Sequence, residues 1–336
     1  MIDTDLHPMV PSLDALRPHL EPLWADAIAQ RGLEGFESQS YPPNSPLTVA
    51  PQFRPAKGGF PDLPALQAFL DETGTKHAIL NCLYGVQLIF NADMNYGFTR
   101  GLNDWIRAEW LDRDPRLRAA IILPNEPDHA VAEIERLAPD PRFVQGLRLV
   151  MGNEIQHGRR AHWPVYEALV RHDLPLCLHA GSAYRHPVTS VGWPSWVMED
   201  AAASQQGFQS ALASLITEGV FTRFPGLRVV FAESGCTWLP AFLWRLTKIW
   251  KGVRFEIPWQ AEPPTETARR HIWLTTTPFD APDDAVAAAL SQLNMPDRLL
   301  PASDWPHGHA PTALPISNEA LHRNALAAYP RLVEGR

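Results

Sequence analysis

Along almost the whole chain, short unbroken apolar runs alternate with longer stretches in which apolar residues recur every three or four positions. The runs lie at 1–7, 77–85, 117–124, 146–151, 174–181, 227–234, 272–277 and 298–304. Continuous Ile, Leu and Val without alternation fit strands covered on both faces, as in a parallel sheet. The intervening stretches read as amphipathic helices. In 61–74, Leu63, Leu66, Phe69 and Leu70 fall on one stripe, and Gly74 offers a left-handed cap. In 125–137, Val131, Ile134 and Leu137 line up behind an acidic first turn. Further helices fit 91–112, 163–172, 206–218, 237–251, 281–293 and 317–328.

Eight strands, each followed by a helix, predict an α/β fold, a single (β/α)8 TIM-like barrel over 1–336 with a Pro-rich insertion after strand 1. The insertion is YPPNSPLTVAPQFRP at 41–55. An open doubly wound sheet lacks support, because no glycine-rich phosphate loop follows any strand.

Composition narrows the partners. A formal charge of -8 argues against nucleic acid or an anionic membrane surface. No run is long enough to span a bilayer, and no secretory signal pattern opens the chain. Cys82, Cys177 and Cys236 are an odd number without a C-x-x-C, which suits reduced thiols in the cytoplasm.

The first strand ends in DTDLH. On a strand, Asp5 and His7 share a face and Leu6 takes the other. A carboxylate and an imidazole aimed at one point suit a metal ion, though a polar chain start would look the same. The barrel adds weight, since active sites of such barrels gather at the C-terminal ends of the strands. His179 ends the fifth strand in CLHAG and Asp304 ends the eighth in ASDWPHGH. Four ligand-type side chains from three strands are thereby expected at one end.

These segments, with NDWIRAEWLDRDPRLRAAIILP (103–124), WPVYEALVRHDLPLCLHAG (163–181) and FTRFPGLRVVFAESGCTWLPAFLWRL (221–246), resemble the amidohydrolase-related superfamily, in its branch of non-oxidative decarboxylases and related hydrolases. The resemblance implies Asp5, His7, His179 and Asp304 as the shell of one divalent metal ion, zinc ahead of manganese or iron. Asp5 stands where the pattern usually has His or Glu. The fourth strand carries Arg148 instead of the lysine of binuclear relatives, which implies a mononuclear site. Where many decarboxylating relatives have a sixth-strand His, this chain has Glu233. That carboxylate is open to three roles: base, ligand, or a partner that orients a neighbouring imidazole, with an Arg as its own donor. The orienting role is placed first.

The implied activity is that of a metal-dependent lyase or hydrolase: non-oxidative decarboxylation or hydrolysis of a small carboxylated substrate. Asp304 would carry the proton, with Glu233 as a second catalytic candidate. The alternative is a metal-binding subunit of a heteromeric amidohydrolase-like hydroxylase, with little activity alone. Arg148, His307 and Trp193 are the candidate substrate contacts. His307 is expected beside Asp304, and His309 toward solvent or a partner. Arg159 and Arg160 belong to a solvated loop. Trp193, Trp196 and Met198, in 184–200, suit a lid or an oligomer contact, and a homodimer is expected.

Overall fold

The computed structural model describes residues 1–36, 49–54, 60–181, 192–309 and 313–334. Most of the Pro-rich 41–55 insertion and the first part of 184–200 lie outside the described residues. Eight strands form one sheet in the order of the sequence: β1 (Ile2–Leu6), β2 (His77–Leu80), β3 (Leu117–Ile122), β4 (Phe143–Leu149), β5 (Leu176–His179), β6 (Val229–Ala232), β7 (Ile272–Thr275) and β8 (Leu299–Leu300). Every neighbouring pair is parallel. β8 is only two residues long, yet the chain beyond it stays against β1 and closes the barrel. Thr4 N–H donates to Pro301 O at 2.9 Å, Asp304 N–H to Asp5 O at 3.1 Å and His7 N–H to Trp305 O at 2.7 Å.

The helices are α1 (Pro22–Arg31), α2 (Leu63–Thr73), α3 (Ala92–Ile106), α4 (Pro127–Leu137), α5 (Trp163–Arg171), α6 (Val197–Thr217), α7 (Val220–Arg223), α8 (Trp238–Val253), α9 (Pro264–His271), α10 (Asp283–Leu293) and α11 (Asn318–Ala328). α2 shows the local logic. Asp62 accepts from Ala65 N–H at 3.0 Å, Leu66 and Leu70 are buried, and Gly74 ends the helix at φ 65°. α3 is capped by Asn91 and runs on through a wider turn at Arg107–Leu111, which together fill the expected 91–112. α6 begins nine residues earlier than its apolar spacing suggests, and α1, α7 and α9 lie outside the expected helices. α9 has Arg269 and Arg270 in its last turn and buries only Pro264, Thr267, Ala268 and His271, so it lacks a broad apolar stripe.

Apolar packing divides in two. The larger cluster joins helices to strands, with Leu6, Leu66, Leu70, Leu80, Phe98, Leu178 and Phe208 among its members. A separate cluster draws Ile2, Ile79, Val144, Val230, Trp273 and Leu300 from six strands and meets Ala325, Ala328 and Tyr329 at the end of α11. Residues from strands on opposite sides of the ring can meet only inside it, so this cluster is the floor of the barrel. Simple alternation would put Ile2 and Leu6 together. The β1–β2 register shifts between Asp3 and Leu6, and the two residues enter different clusters.

Candidate metal centre

Above that floor, at the C-terminal ends of the strands, Asp5 from β1 and His7 just after it meet His179 from β5, Glu233 just after β6 and Asp304 after β8. β1 and β5 face each other across the ring, so contact between their side chains crosses the barrel interior. His179 Nε2 is 3.2 Å from Asp5 Oδ1. His7 Nε2 is 2.9 Å from Asp304 Oδ1, 3.3 Å from Glu233 Oε1 and 3.6 Å from Asp5 Oδ1. The two imidazoles meet edge to face, 5.1 Å between centroids. Potential ligand atoms of Asp5, His7, His179 and Glu233 all lie within 4.8 Å of one another, and Asp304 forms a similar group with His307 and His309.

Backbone carbonyls set the tautomers. His7 Nδ1 donates to Asn81 O and His179 Nδ1 to Ala180 O, both at 2.9 Å. A carbonyl can only accept, so in a neutral ring the proton sits on Nδ1 and the Nε2 lone pair points into the cluster. Three carboxylates surround those lone pairs, and among the described residues no Lys or Arg is paired with any of them. Asp5 Oδ2 is buried without a hydrogen-bond partner, and His7 Nε2 and Asp304 Oδ1, 2.9 Å apart, are buried with nothing outside the cluster to satisfy them. Such an arrangement requires positive charge at its centre, from protons on the imidazoles or from a cation.

Without a cation the rings take up the protons. Burial would depress His179, but Asp5 and Glu233 lift it to about 9, and His7 is lifted well above its usual range against burial by Asp5, Asp304 and Glu233. Burial would raise Glu233, yet His179 and His7 hold its carboxyl well below the carboxylate range. Burial, and then the charge of Glu233, raise Asp304. Two imidazoles and several carboxylates in a site that lacks a fixed cation suit a divalent metal ion.

Among the described residues Glu233 does not have the expected arginine donor. The described groups facing its carboxylate are the His7 and His179 imidazoles and Asp304. Its backbone sits at φ 57° and that of Asp304 at φ 59°, a left-handed conformation that side chains other than glycine rarely adopt. In both places the chain turns sharply at the strand end and swings a carboxylate over the mouth.

The substrate candidates fare differently. His307 packs as expected, its ring 5.6 Å from that of His7 and its Nδ1 4.0 Å from Asp304 Oδ2. His309 departs from expectation. Its Nε2 is 2.5 Å from Asp304 Oδ2, because the loop after β8 folds back over the strand end, where Val49 also bridges to His307. Arg148 is turned away from the cluster. Its guanidinium donates to Pro124 O at 3.0 Å and Asn125 O at 3.2 Å, and it contacts His162 Nδ1 at 3.2 Å. It therefore ties loops together beneath a separate cavity that His162 lines with Gln87, Asn125 and Asn153. Arg159 and Arg160 are exposed, while His157 and His162 around them are buried. Trp193 is 60% exposed, and among the described residues nothing ties it to the cluster.

Asn81 was not anticipated. Its carbonyl orients His7, and its amide donates to Asp5 Oδ1 at 2.7 Å. The only signal was an amide interrupting the apolar HAILNCLYG. An eight-stranded parallel barrel with imidazoles and carboxylates gathered at the strand ends is the architecture of a metal-assisted enzyme.

Residues 2–326 match the family model described as amidohydrolase, and the chain belongs to that family. It is 24% identical over 238 residues to the gamma-resorcylate decarboxylase of Rhodococcus jostii (strain RHA1), covering 66% of this chain and 70% of that protein. An amidohydrolase structure from Mycobacterium avium subsp. paratuberculosis K-10 superposes with a TM-score of 0.72 at 22% identity, over 97% of this chain and 98% of that one. A dihydroxybenzoic acid decarboxylase from Polaromonas sp. JS666, solved with manganese and the inhibitor 2-nitroresorcinol, gives 0.70 at 20% identity, over 98% and 96%. No helix among the described residues is long and apolar enough to cross a membrane.

Proposed function

We propose that this protein is a metal-dependent decarboxylase of a small hydroxylated aromatic carboxylate, with one divalent ion held by His7, His179, Asp5 and Glu233 and with Asp304 beside it. The observation that carries the reading is the buried, unpartnered Asp5 Oδ2 beside two imidazoles whose lone pairs converge, with His7 Nε2 and Asp304 Oδ1 meeting only within the same cluster. The decarboxylase relatives supply the substrate class. Glu233 thereby moves from orienting partner to ligand, and Asp304 from ligand to neighbour. The donor set serves zinc and manganese alike.

The bound ion would anchor the carboxylated substrate and draw charge from it as the bond to carbon dioxide weakens. This chain's own part is the proton. Asp304 delivers it to the ring carbon that bears the carboxylate. The bond from that carbon to CO2 then breaks, its electron pair returns to the ring, and CO2 leaves. His309 Nε2, on the other oxygen of Asp304 and partly open to solvent, returns the proton for the next cycle. His307, on the same loop, is placed to touch the substrate.

Two further assignments belong to this reading. Trp196 and Met198, at the head of α6, are 74% and 80% exposed. Apolar side chains so open favour a homodimer, or the heteromeric hydroxylase assembly as the second reading. Cys82, Cys177 and Cys236 are buried and unpaired, in keeping with a reducing cytoplasm.

The test combines metal analysis of the purified chain with a panel of hydroxybenzoates, carboxyvanillate and pyrone carboxylates, followed by CO2 release. Stoichiometric metal and turnover of a panel member are expected. Metal without turnover, in a chain that copurifies with a paralogous partner, replaces the decarboxylase reading by the subunit reading. Absence of metal removes both.

A further inference from the structure

Inside the barrel, a line of polar side chains runs from the end of α11 to the metal centre through the apolar floor. Tyr329 Oη donates to Gln145 Oε1 at 3.0 Å, Gln145 Nε2 to Asn81 Oδ1 at 2.8 Å, and Asn81 Nδ2 to Asp5 Oδ1 at 2.7 Å. Each of the four residues is 1% exposed or less. Tyr329 follows α11, Gln145 is on β4, Asn81 follows β2 and Asp5 is on β1, so the line crosses the ring without following any strand.

We propose that Tyr329, Gln145 and Asn81 are positioning residues that fix from the floor of the barrel which oxygen of Asp5 is presented to the metal. The inference rests on Asp5 being a ligand. A single charge sets the direction of the whole line. A carboxylate accepts only, so Asn81 turns its NH2 to Asp5 and leaves its carbonyl for Gln145. Gln145 then turns its own NH2 to Asn81 and its carbonyl to Tyr329, whose hydroxyl has no choice but to donate. Reversing either amide would set oxygen against oxygen in a dry interior.

The consequence at Asp5 is specific. Oδ1 accepts from Asn81 and is the oxygen turned to the imidazoles, 3.2 Å from His179 Nε2 and 3.6 Å from His7 Nε2, while Oδ2 is buried without a partner. Successive donors polarise one another, so loss of the hydroxyl at the far end weakens the last bond as well. Asn81 also holds His7 through its backbone carbonyl, which brings Asp5 and His7 under one residue. A network that merely satisfied polar groups in the core would need neither this direction nor an end on a ligand.

The test measures metal affinity of the full chain by cobalt titration, and records the visible spectrum of the cobalt-loaded protein, for wild type, Tyr329→Phe, Gln145→Leu and the double variant. Gln145→Leu is expected to weaken binding about tenfold, the scale seen for partners that orient metal ligands. Tyr329→Phe keeps the ring in the floor and is expected to weaken it severalfold, with a shifted cobalt band in both. The double variant should bind no more weakly than Gln145→Leu, because Tyr329 acts through Gln145. Wild-type affinity and spectra in both single variants would overturn the proposal, whatever happens to their melting temperatures. Asp5→Ala is the separate control. If it binds cobalt as wild type does, Asp5 is no ligand and the underlying reading falls with the proposal.

Discussion

Asp304 spans two environments, with Oδ2 2.5 Å from His309 Nε2 and Oδ1 2.9 Å from His7 Nε2. One oxygen faces the His7–His179 cluster and the other faces the loop that leads to solvent. This geometry is what a residue that takes a proton from outside and spends it inside requires. Asp304→Asn keeps the shape and removes the transferable proton. CO2 release is expected to fall by about two to four orders of magnitude, with most of the metal retained. Normal turnover in that variant would show that the proton comes from elsewhere.

His309 should act only through Asp304. In His309→Gln the side chain can still donate a hydrogen bond but cannot relay a proton. A loss in kcat larger than any change in KM, with unchanged metal content, is the expected pattern. Loss of metal in equal measure would make His309 a support of the centre instead.

His179 is fully buried and its ring is oriented by its neighbour's carbonyl. His179→Ala should abolish most metal uptake while the circular dichroism spectrum stays that of the barrel, because both apolar clusters lie elsewhere. Full occupancy in the variant would remove His179 from the set.

Stability should decline in mild acid through His157 and His162. Burial first, and then the charge of Arg148, hold these rings down at about 4 and about 3. The unfolded chain takes up their protons near the ordinary value of about 6.5, while the folded chain refuses them. Stability from each ring is therefore complete above that value and is lost as the pH falls towards the folded value, at roughly 1.4 kcal/mol per pH unit per histidine. Urea titrations at pH 7 and pH 5 should show the loss, and a His157→Gln, His162→Gln double variant should show a shallower one. Equal slopes in the two proteins would refute the assignment.

Much of this was legible in the sequence, for identifiable reasons. The apolar runs are long because each strand is covered on both faces, so all eight strands were found. DTDLH, CLHAG and ASDWPH carry their polar residues at strand ends, so Asp5, His7, His179 and Asp304 could be placed together. What escaped depended on the third dimension. Gln145 fell just outside the expected strand at 146–151, since β4 begins at Phe143. Tyr329 reaches it across 184 residues of chain, which no local pattern encodes. The direction of Arg148 was also hidden, because a lone cation on an apolar strand reads the same whether it enters the ring or leaves it. His309 lies in a loop between Pro306 and Pro311 and just after Gly308, where strand alternation gives no guidance.

The left-handed backbone at Glu233 and Asp304 has a consequence for anyone who wishes to harden this protein against heat. At such angles glycine relieves a local cost of about 1 kcal/mol or more for each position, so a search guided by melting temperature alone would favour glycine at both. The winners would be sturdier barrels stripped of the two carboxylates that hang over the mouth. On the reading proposed above, selection for thermostability in this fold has to be scored on metal uptake in parallel, because both carboxylates belong to the proposed centre.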